Sequence, residues 1–218
     1  MSCCCTPRGY RRIFSARSAE REARRYRSRG LDRTSRRIAD AILARGVEGA
    51  SVLEVGGGVG TLQLELLRAG AGRAVSVELT PTYEDAAEAL LRDHGLRHRV
   101  ERRLADFVGA ASDVEPADVV VLNRVVCCYP DMPRLTAAAA DHTRRILVMS
   151  FPRRTWWTRA VLWVGNALLR VTRREFRVFI HPPASIRQVV ENRGLRQSLD
   201  RRGLFWQVVA FEATPAAP

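Results

Sequence analysis

The chain predicts an α/β fold with a central, mostly parallel sheet and helices on both faces, and three observations carry that expectation. A β-branched apolar run, Ser51-Val-Leu-Glu54-Val, feeds a glycine-rich turn from Gly56 to Gly60 that opens a leucine-rich helix. Further apolar runs at Ala74 to Glu78, Ala117 to Val126 and Arg145 to Phe151 alternate with helical patterns, and strands separated by helices run parallel. The run at 117–126 has an unbroken apolar centre from Val119 to Leu122, as a strand covered on both faces must have. At 218 residues the chain is long enough for one such domain with a sizeable core.

The elements follow in order. Ser18 to Arg29 is built from the helix formers Ala, Glu and Arg and breaks at Gly30; a second helix starts near Thr34 with Ile38, Ala41 and Ile42 on one face. After the first strand the glycines let the chain turn at positive φ and let a ligand approach a backbone without Cβ atoms. Thr61 to Arg68, with leucines at 62, 64, 66 and 67, is a helix closing at Gly70. The second strand ends in Glu78, about 20 residues past the glycines, where a carboxylate can accept both hydroxyls of a ribose. Pro81 to Asp93 is a helix with a proline start, and Arg99 to Leu104 leads into Ala105-Asp106-Phe107.

Cys127-Cys128-Tyr129-Pro130-Asp131 follows the fourth strand, and ligands in open α/β sheets sit at the carboxyl ends of strands. A helix from Pro133 to Thr143 precedes a fifth strand closed by Pro152. Thr155 to Arg170 begins a segment apolar at 157, 160, 161, 164, 168 and 171, the spacing of one helical face. Such a helix is buried, lids an apolar substrate pocket or lies on a membrane surface, and the pocket is the preferred reading. A helix from Ser185 to Asn192 ends at Gly194, and Leu195 to Asp200 pairs with Leu204 to Phe211 across Arg201-Arg202-Gly203 as a hairpin.

The glycine spacing selects among nucleotides. A dinucleotide fingerprint needs Gly-x-Gly-x-x-Gly, but Thr occupies position 61 and the pattern from Glu54 is Glu-x-Gly-x-Gly-x-Gly. That form resembles the first motif of class I S-adenosylmethionine-dependent methyltransferases. The resemblance covers residues 48–212 and implies a Rossmann-like class I methyltransferase fold: a mostly parallel seven-stranded sheet, a terminal antiparallel hairpin, and S-adenosylmethionine as cofactor. It implies cofactor contacts from Glu54, Gly56, Gly57, Gly58 and Gly60, from Glu78 and Leu79 at the ribose, and from Asp106 and Phe107 at the adenine. Asn123 either lines the same pocket or caps its strand.

The C-terminal half is similar in order to magnesium-protoporphyrin O-methyltransferases: Tyr129-Pro130, Arg145 to Arg153, an aromatic helix, then Phe179-Ile-His181. Cys128 stands where those enzymes tend to carry His. This likeness implies a bulky acceptor, apolar or acidic. For a phenol or amine acceptor Tyr129 and His181 are the candidate proton acceptors, since neutral imidazole takes a proton near pH 7. For a carboxylate, Arg153 or Arg154 would clamp it.

Composition bounds the partners. The formal net charge is +13, and all 36 basic residues are arginine, which points to coding bias before any demand for guanidinium groups. The arginine-dense residues 1–47 read as a basic helical segment, which the methyltransferase resemblance implies is an N-terminal cap over the cofactor, with Tyr26 and Arg29 either touching the cofactor or substrate or packing at the surface. An apolar helical insertion occupies about 153–176, and 213–218 is a flexible tail. A small-molecule acceptor is expected. Nucleic acid is disfavoured for want of aromatic or fold signatures, although an RNA acceptor held by the basic N-terminus, or a scaffold without catalysis, would use the same fold. Peripheral membrane contact is the lesser reading, and the oligomeric state is not legible. With no 18-residue apolar run and no leader pattern, a cytoplasmic enzyme is expected. The cysteines, Cys3 to Cys5 and Cys127-Cys128, lack the spacing of a zinc site or a disulfide framework, so no metal is expected.

Overall fold

A computed structural model describes residues 9, 10 and 13–214. The Cys3 to Cys5 run and the end of the tail from position 215 lie outside them. From Ala16 onward the first two helices are α1 (Ala16–Arg29) and α2 (Arg33–Leu43). Each begins on a side-chain cap: Ser15 accepts the Ser18 N–H, and Asp32 accepts those of Thr34 and Ser35.

The sheet has seven strands: β1 (Ser51–Val55), β2 (Arg73–Glu78), β3 (Val100–Leu104), β4 (Ala117–Asn123), β5 (Thr143–Pro152), β6 (Leu195–Arg202) and β7 (Trp206–Ala213). Their spatial order is β3-β2-β1-β4-β5-β7-β6. The first five are parallel, and β7 runs antiparallel to both β5 and β6. The chain winds outward from β1 in one direction and from β4 in the other. The β1–β4 boundary is therefore the switch point, the place where such sheets leave a crevice.

Successive strand residues face opposite sides, and the core divides accordingly. Val52 and Val121 pack with Ile38, Ile42, Leu66 and Leu90 beneath α1, α2, α3 (Thr61–Arg68) and α4 (Glu84–Asp93). Leu53, Val120 and Leu122 pack on the other face with Leu135 of α5 (Met132–Asp141) and Ile186 of α7 (Pro183–Glu191). Leu122 is fully buried, and truncating such a leucine to alanine costs about 2–5 kcal/mol.

Some boundaries move. The fourth strand stops at Asn123 because Arg124 adopts φ 63°, and a 3-10 turn covers Val126–Cys128. The hairpin turns later than the glycine suggests, because Gly203 N–H donates to the Trp206 carbonyl at 2.8 Å and closes the turn from its far side.

The larger correction concerns α6 (Trp156–Val171). Its apolar face does not line a substrate pocket or join the core: Trp156 is 82% exposed and Trp163 73%, and Thr158 is its one buried residue. The face turned inward is the one carrying Asn166, whose side-chain amide donates to the Val178 carbonyl at 2.8 Å and accepts the Val178 N–H at 2.9 Å. That pair fixes the rotation of the helix and leaves its apolar arc outside.

Candidate functional site

At the carboxyl ends of β1, β2 and β4 the structure forms a cavity of about 200 Å³. Its floor is the turn after β1. Glu54, 2% exposed, folds beneath its own loop and accepts the Gln63 N–H at 3.3 Å. A Cβ on Gly57 would stand 2.4 Å from the Glu54 Cδ, so the buried carboxyl occupies the space a side chain would need. Gly60 is left-handed at φ 77° where it opens α3, and a Cβ there would meet the Gln63 amide.

The Gly58 peptide unit is held from both sides. Its N–H donates to Glu78 Oε2 at 3.0 Å, and its carbonyl accepts from an Arg102 guanidinium nitrogen at 3.1 Å. Glu78, at the end of β2, also accepts the Leu79 N–H at 3.0 Å. Arg102, on β3, has its side chain 4% exposed, pairs with Glu84 at 2.8 Å and donates to Ser76 Oγ at 3.3 Å.

Three carboxyls reach this floor. Burial pushes Glu54 up to about 8 and Glu22, from α1, up to about 7. Burial also raises Glu78, against the backbone N–H groups that favour its ionised form. Glu22 and Glu78 line the cavity beside Glu54. Sequence reasoning missed Glu22 and Arg102, and no local pattern marks either.

The expected site residues lie as follows. Gly56, Gly57, Gly58, Leu79, Asp106, Phe107 and Asn123 all line the cavity; Gly60 stands just beyond, at the helix start. Asp106 is exposed and accepts the Val108 N–H at 3.2 Å and the Tyr129 hydroxyl at 3.2 Å. Phe107 is buried, its ring edge-on to His142 at 5.3 Å. Asn123 bridges Ser35 Oγ, to which it donates at 3.0 Å, and Ser150 Oγ, from which it accepts at 2.7 Å. Both of its strand-end hydrogen bonds are thus made while it faces the cavity.

Tyr129 lines the cavity as well, with its phenol pushed up to about 12 by burial and by Asp106. His181 does not line it. Its Nε2 pairs with the Tyr129 carbonyl at 3.2 Å, its ring stacks on Phe179 at 5.8 Å, and burial lowers its pKa. Tyr26 is buried with its hydroxyl on Glu65 at 2.6 Å, and Arg29 is exposed at the end of α1; neither reaches the cavity. Arg153 and Arg154 line a second cavity, so among the described residues Arg124 is the one arginine on the wall of the first. Asp32 holds the Arg124 guanidinium at 2.6 Å, and the Arg124 Cζ lies over the Trp206 ring, 5.2 Å from its centroid.

Tyr10 and Phe14 roof the cavity, backed by a ring from far along the chain. Tyr10 and Phe14 stack at 5.9 Å, and Phe176 meets both edge-on at 5.4 and 5.5 Å. The Tyr10 hydroxyl donates to the Cys128 carbonyl. Among the described residues no group of His, Cys, Asp and Glu side chains is arranged to hold a metal.

A family model described as a methyltransferase domain matches residues 21–199. No curated protein matches the sequence. Among solved structures, the magnesium protoporphyrin IX methyltransferase of Synechocystis PCC 6803 with bound SAH is 19% identical, with a TM-score of 0.69 over 94% of this chain and 93% of that one. An O-methyltransferase family protein from Burkholderia thailandensis is 23% identical, with a TM-score of 0.67 over 92% of this chain and 63% of that one. A putative sarcosine dimethylglycine methyltransferase from Galdieria sulphuraria is 13% identical, with a TM-score of 0.66 over 83% and 85%. At these identities the likeness is one of fold.

Proposed function

The chain belongs to the methyltransferase-domain family, whose model spans residues 21–199, and from that premise we propose that it transfers the methyl group of S-adenosylmethionine to a small, bulky acceptor, apolar or acidic. The observation that carries this reading is the Gly58 peptide, pinned by Glu78 and Arg102 in a loop where the Glu54 carboxyl excludes a side chain at Gly57. Such a bare, fixed backbone suits a nucleoside lying across it.

The cavity's residues fit the cofactor. Glu78 presents a buried carboxylate to the ribose hydroxyls, with Leu79 beside it, and exposed Asp106 can accept from the adenine amino group while Phe107 supplies apolar wall. Glu22 and Glu54 place acidic groups where a cationic amino acid moiety gains from them. When bound, S-adenosylmethionine supplies an activated methyl group on a sulfonium, which leaves as the neutral thioether once the methyl bonds to the acceptor. The protein's contribution is alignment and exclusion of water.

Tyr10, Phe14 and Tyr129 bound the space above the floor and suit a flat apolar acceptor. With its phenol raised to about 12, Tyr129 stays protonated at neutral pH and acts as a hydrogen-bond donor that orients Asp106 or the acceptor. His181 acts from behind it, positioning the Tyr129 backbone. Arg124, the one arginine among the described residues on the cavity wall, offers its guanidinium to an acidic acceptor.

Two measurements test the reading. Titration calorimetry should show S-adenosylhomocysteine binding to the folded protein, weakened in Glu78→Ala; no binding by the wild type would end the proposal. Incubation with methyl-labelled cofactor and fractionated small molecules or RNA should label the small-molecule fraction, and label confined to RNA would overturn the acceptor class.

A further inference from the structure

We propose that α6 docks this protein on an anionic lipid surface. The helix is turned inside out relative to an ordinary surface helix. Trp156 and Trp163 lie seven residues apart, and Val164, Leu168 and Val171 follow at four and three; all five are at least half exposed, so they cover one broad, continuous apolar arc facing solvent. The opposite side faces the body: Thr158 there is fully buried, and the Asn166 side chain is held by the Val178 backbone. The stripe is therefore not waiting to rotate inward.

The apolar surface continues beyond the helix. Trp157 contacts Phe205 at 5.9 Å, which brings the β6–β7 turn and its 82% exposed Leu204 beside the start of α6. Large exposed apolar stripes of this kind mark contact with a protein or a membrane.

Charge decides between those partners. Residues 153–174 contain six arginines and no acidic residue. Arg159 and Arg170 are exposed, and the spacing puts both along one edge of the stripe. At the foot of the helix, Arg153, Arg154, Arg187 and Arg202 line a polar cavity of about 320 Å³. A tryptophan-rich apolar stripe edged with arginines matches the acyl–headgroup boundary of a bilayer bearing negative lipids. A second copy fits poorly, because isologous pairing of the helix would set Arg159 and Arg170 against the same arginines of the other copy, and residues 153–174 hold no carboxylate to answer them.

The helix lies on the surface and does not span it. At 16 residues α6 falls short of the roughly 20 that a hydrocarbon core requires, and among the described residues no helix is long and apolar enough to cross. Its position links the docked face to the cavity. Five residues past the end of α6, Phe176 is buried in the aromatic roof over the site, so the roof sits within reach of an acceptor held in the lipid.

Vesicle flotation with the full chain tests this. The wild type should float with phosphatidylcholine vesicles containing 30% phosphatidylglycerol, less so with phosphatidylcholine alone, and its tryptophan emission should shift to the blue. Trp156→Ser with Trp163→Ser should abolish flotation while the circular dichroism and melting midpoint stay unchanged. Arg159→Gln with Arg170→Gln should weaken binding to anionic vesicles about thirtyfold, the equivalent of about 1 kcal/mol for each arginine near the surface. The proposal is overturned if the wild type fails to float, or if the tryptophan variant floats as well as the wild type. Concentration-dependent self-association that the same tryptophan substitutions abolish, without vesicle binding, would assign the face to a second copy instead.

Discussion

Gly58 and Glu78 are joined by a 3.0 Å hydrogen bond from the glycine N–H to the carboxylate, which ties the loop after β1 to the end of β2. The bond fixes the carboxylate's rotamer before any ligand arrives, so a nucleoside bound as proposed would meet an acceptor that is already placed. Preorganisation of this kind lowers the cost of binding.

Glu78 should therefore carry much of the cofactor affinity. Hydrogen bonds to a charged group are worth about 1.5–3 kcal/mol, so Glu78→Ala should weaken S-adenosylhomocysteine binding by about 10- to 100-fold in calorimetry. Glu78→Gln keeps the shape and one acceptor oxygen and should fall between the two. Equal affinities across all three proteins would remove Glu78 from the site.

Gly57 should tolerate no side chain while Glu54 is present. An added Cβ would lie 2.4 Å from the Glu54 Cδ, and because that carboxyl is buried under the loop it has little room to yield. Overpacking costs about 1–3 kcal/mol, so Gly57→Ala should lower the urea midpoint and impair ligand binding. Adding Glu54→Ala vacates the space. The double variant should be more stable than the two single effects sum to, a coupling that a double-mutant cycle reads directly; strict additivity would show that the two residues do not meet.

Arg102 separates stability from positioning. Its buried guanidinium serves Glu84, Ser76 and the Gly58 carbonyl together. Removing one partner of a buried pair costs about 3–5 kcal/mol; Glu84 is partly exposed, so Arg102→Met should lie near the lower figure in urea unfolding. Combining it with Glu84→Met should restore stability, because no charge is left unanswered. Ligand affinity should stay low in the double variant, since nothing then holds the Gly58 carbonyl. Recovery of both properties together would reduce Arg102 to a structural role.

What the sequence discloses and what it hides follow one physical division. The strand, the glycine turn and Glu78 lie within 28 residues and are constrained by chain geometry, so spacing alone places them. Arg102 and Glu22 reach Gly58 only through tertiary packing, from 44 residues downstream and 36 upstream, and neither sits in a pattern that a linear reading detects. Helix α6 marks a different limit. Periodicity finds its apolar stripe but not the direction the stripe faces, which depends on Asn166 meeting Val178. His181 shows the same limit on a smaller scale: its distance along the chain from Tyr129 says nothing of which side of that residue it approaches.

The acidic floor gives the site a pH dependence whose sign can be stated. Burial raises Glu22 to about 7 and Glu54 to about 8, from an ordinary value of 4.5. Each therefore binds its proton more tightly when folded. The stability this contributes is fully present below 4.5 and is lost as pH rises through the folded values. The urea midpoint of the wild type should thus fall between pH 5 and pH 8.5, and Glu54→Gln, which has no proton to lose, should flatten part of that fall. A cationic ligand works against the same protonation, because a positive charge beside these carboxyls favours their ionised form. S-adenosylmethionine carries a sulfonium that S-adenosylhomocysteine lacks, so its affinity should rise relative to the thioether's from pH 6 to pH 8.5. Calorimetry in buffers of different ionisation enthalpy should then register protons released on binding at pH 7. If the two ligands showed parallel pH profiles with no proton release, the carboxyls would not be sensing the sulfonium, and the methyl-bearing end of the cofactor would have to lie elsewhere in the cavity.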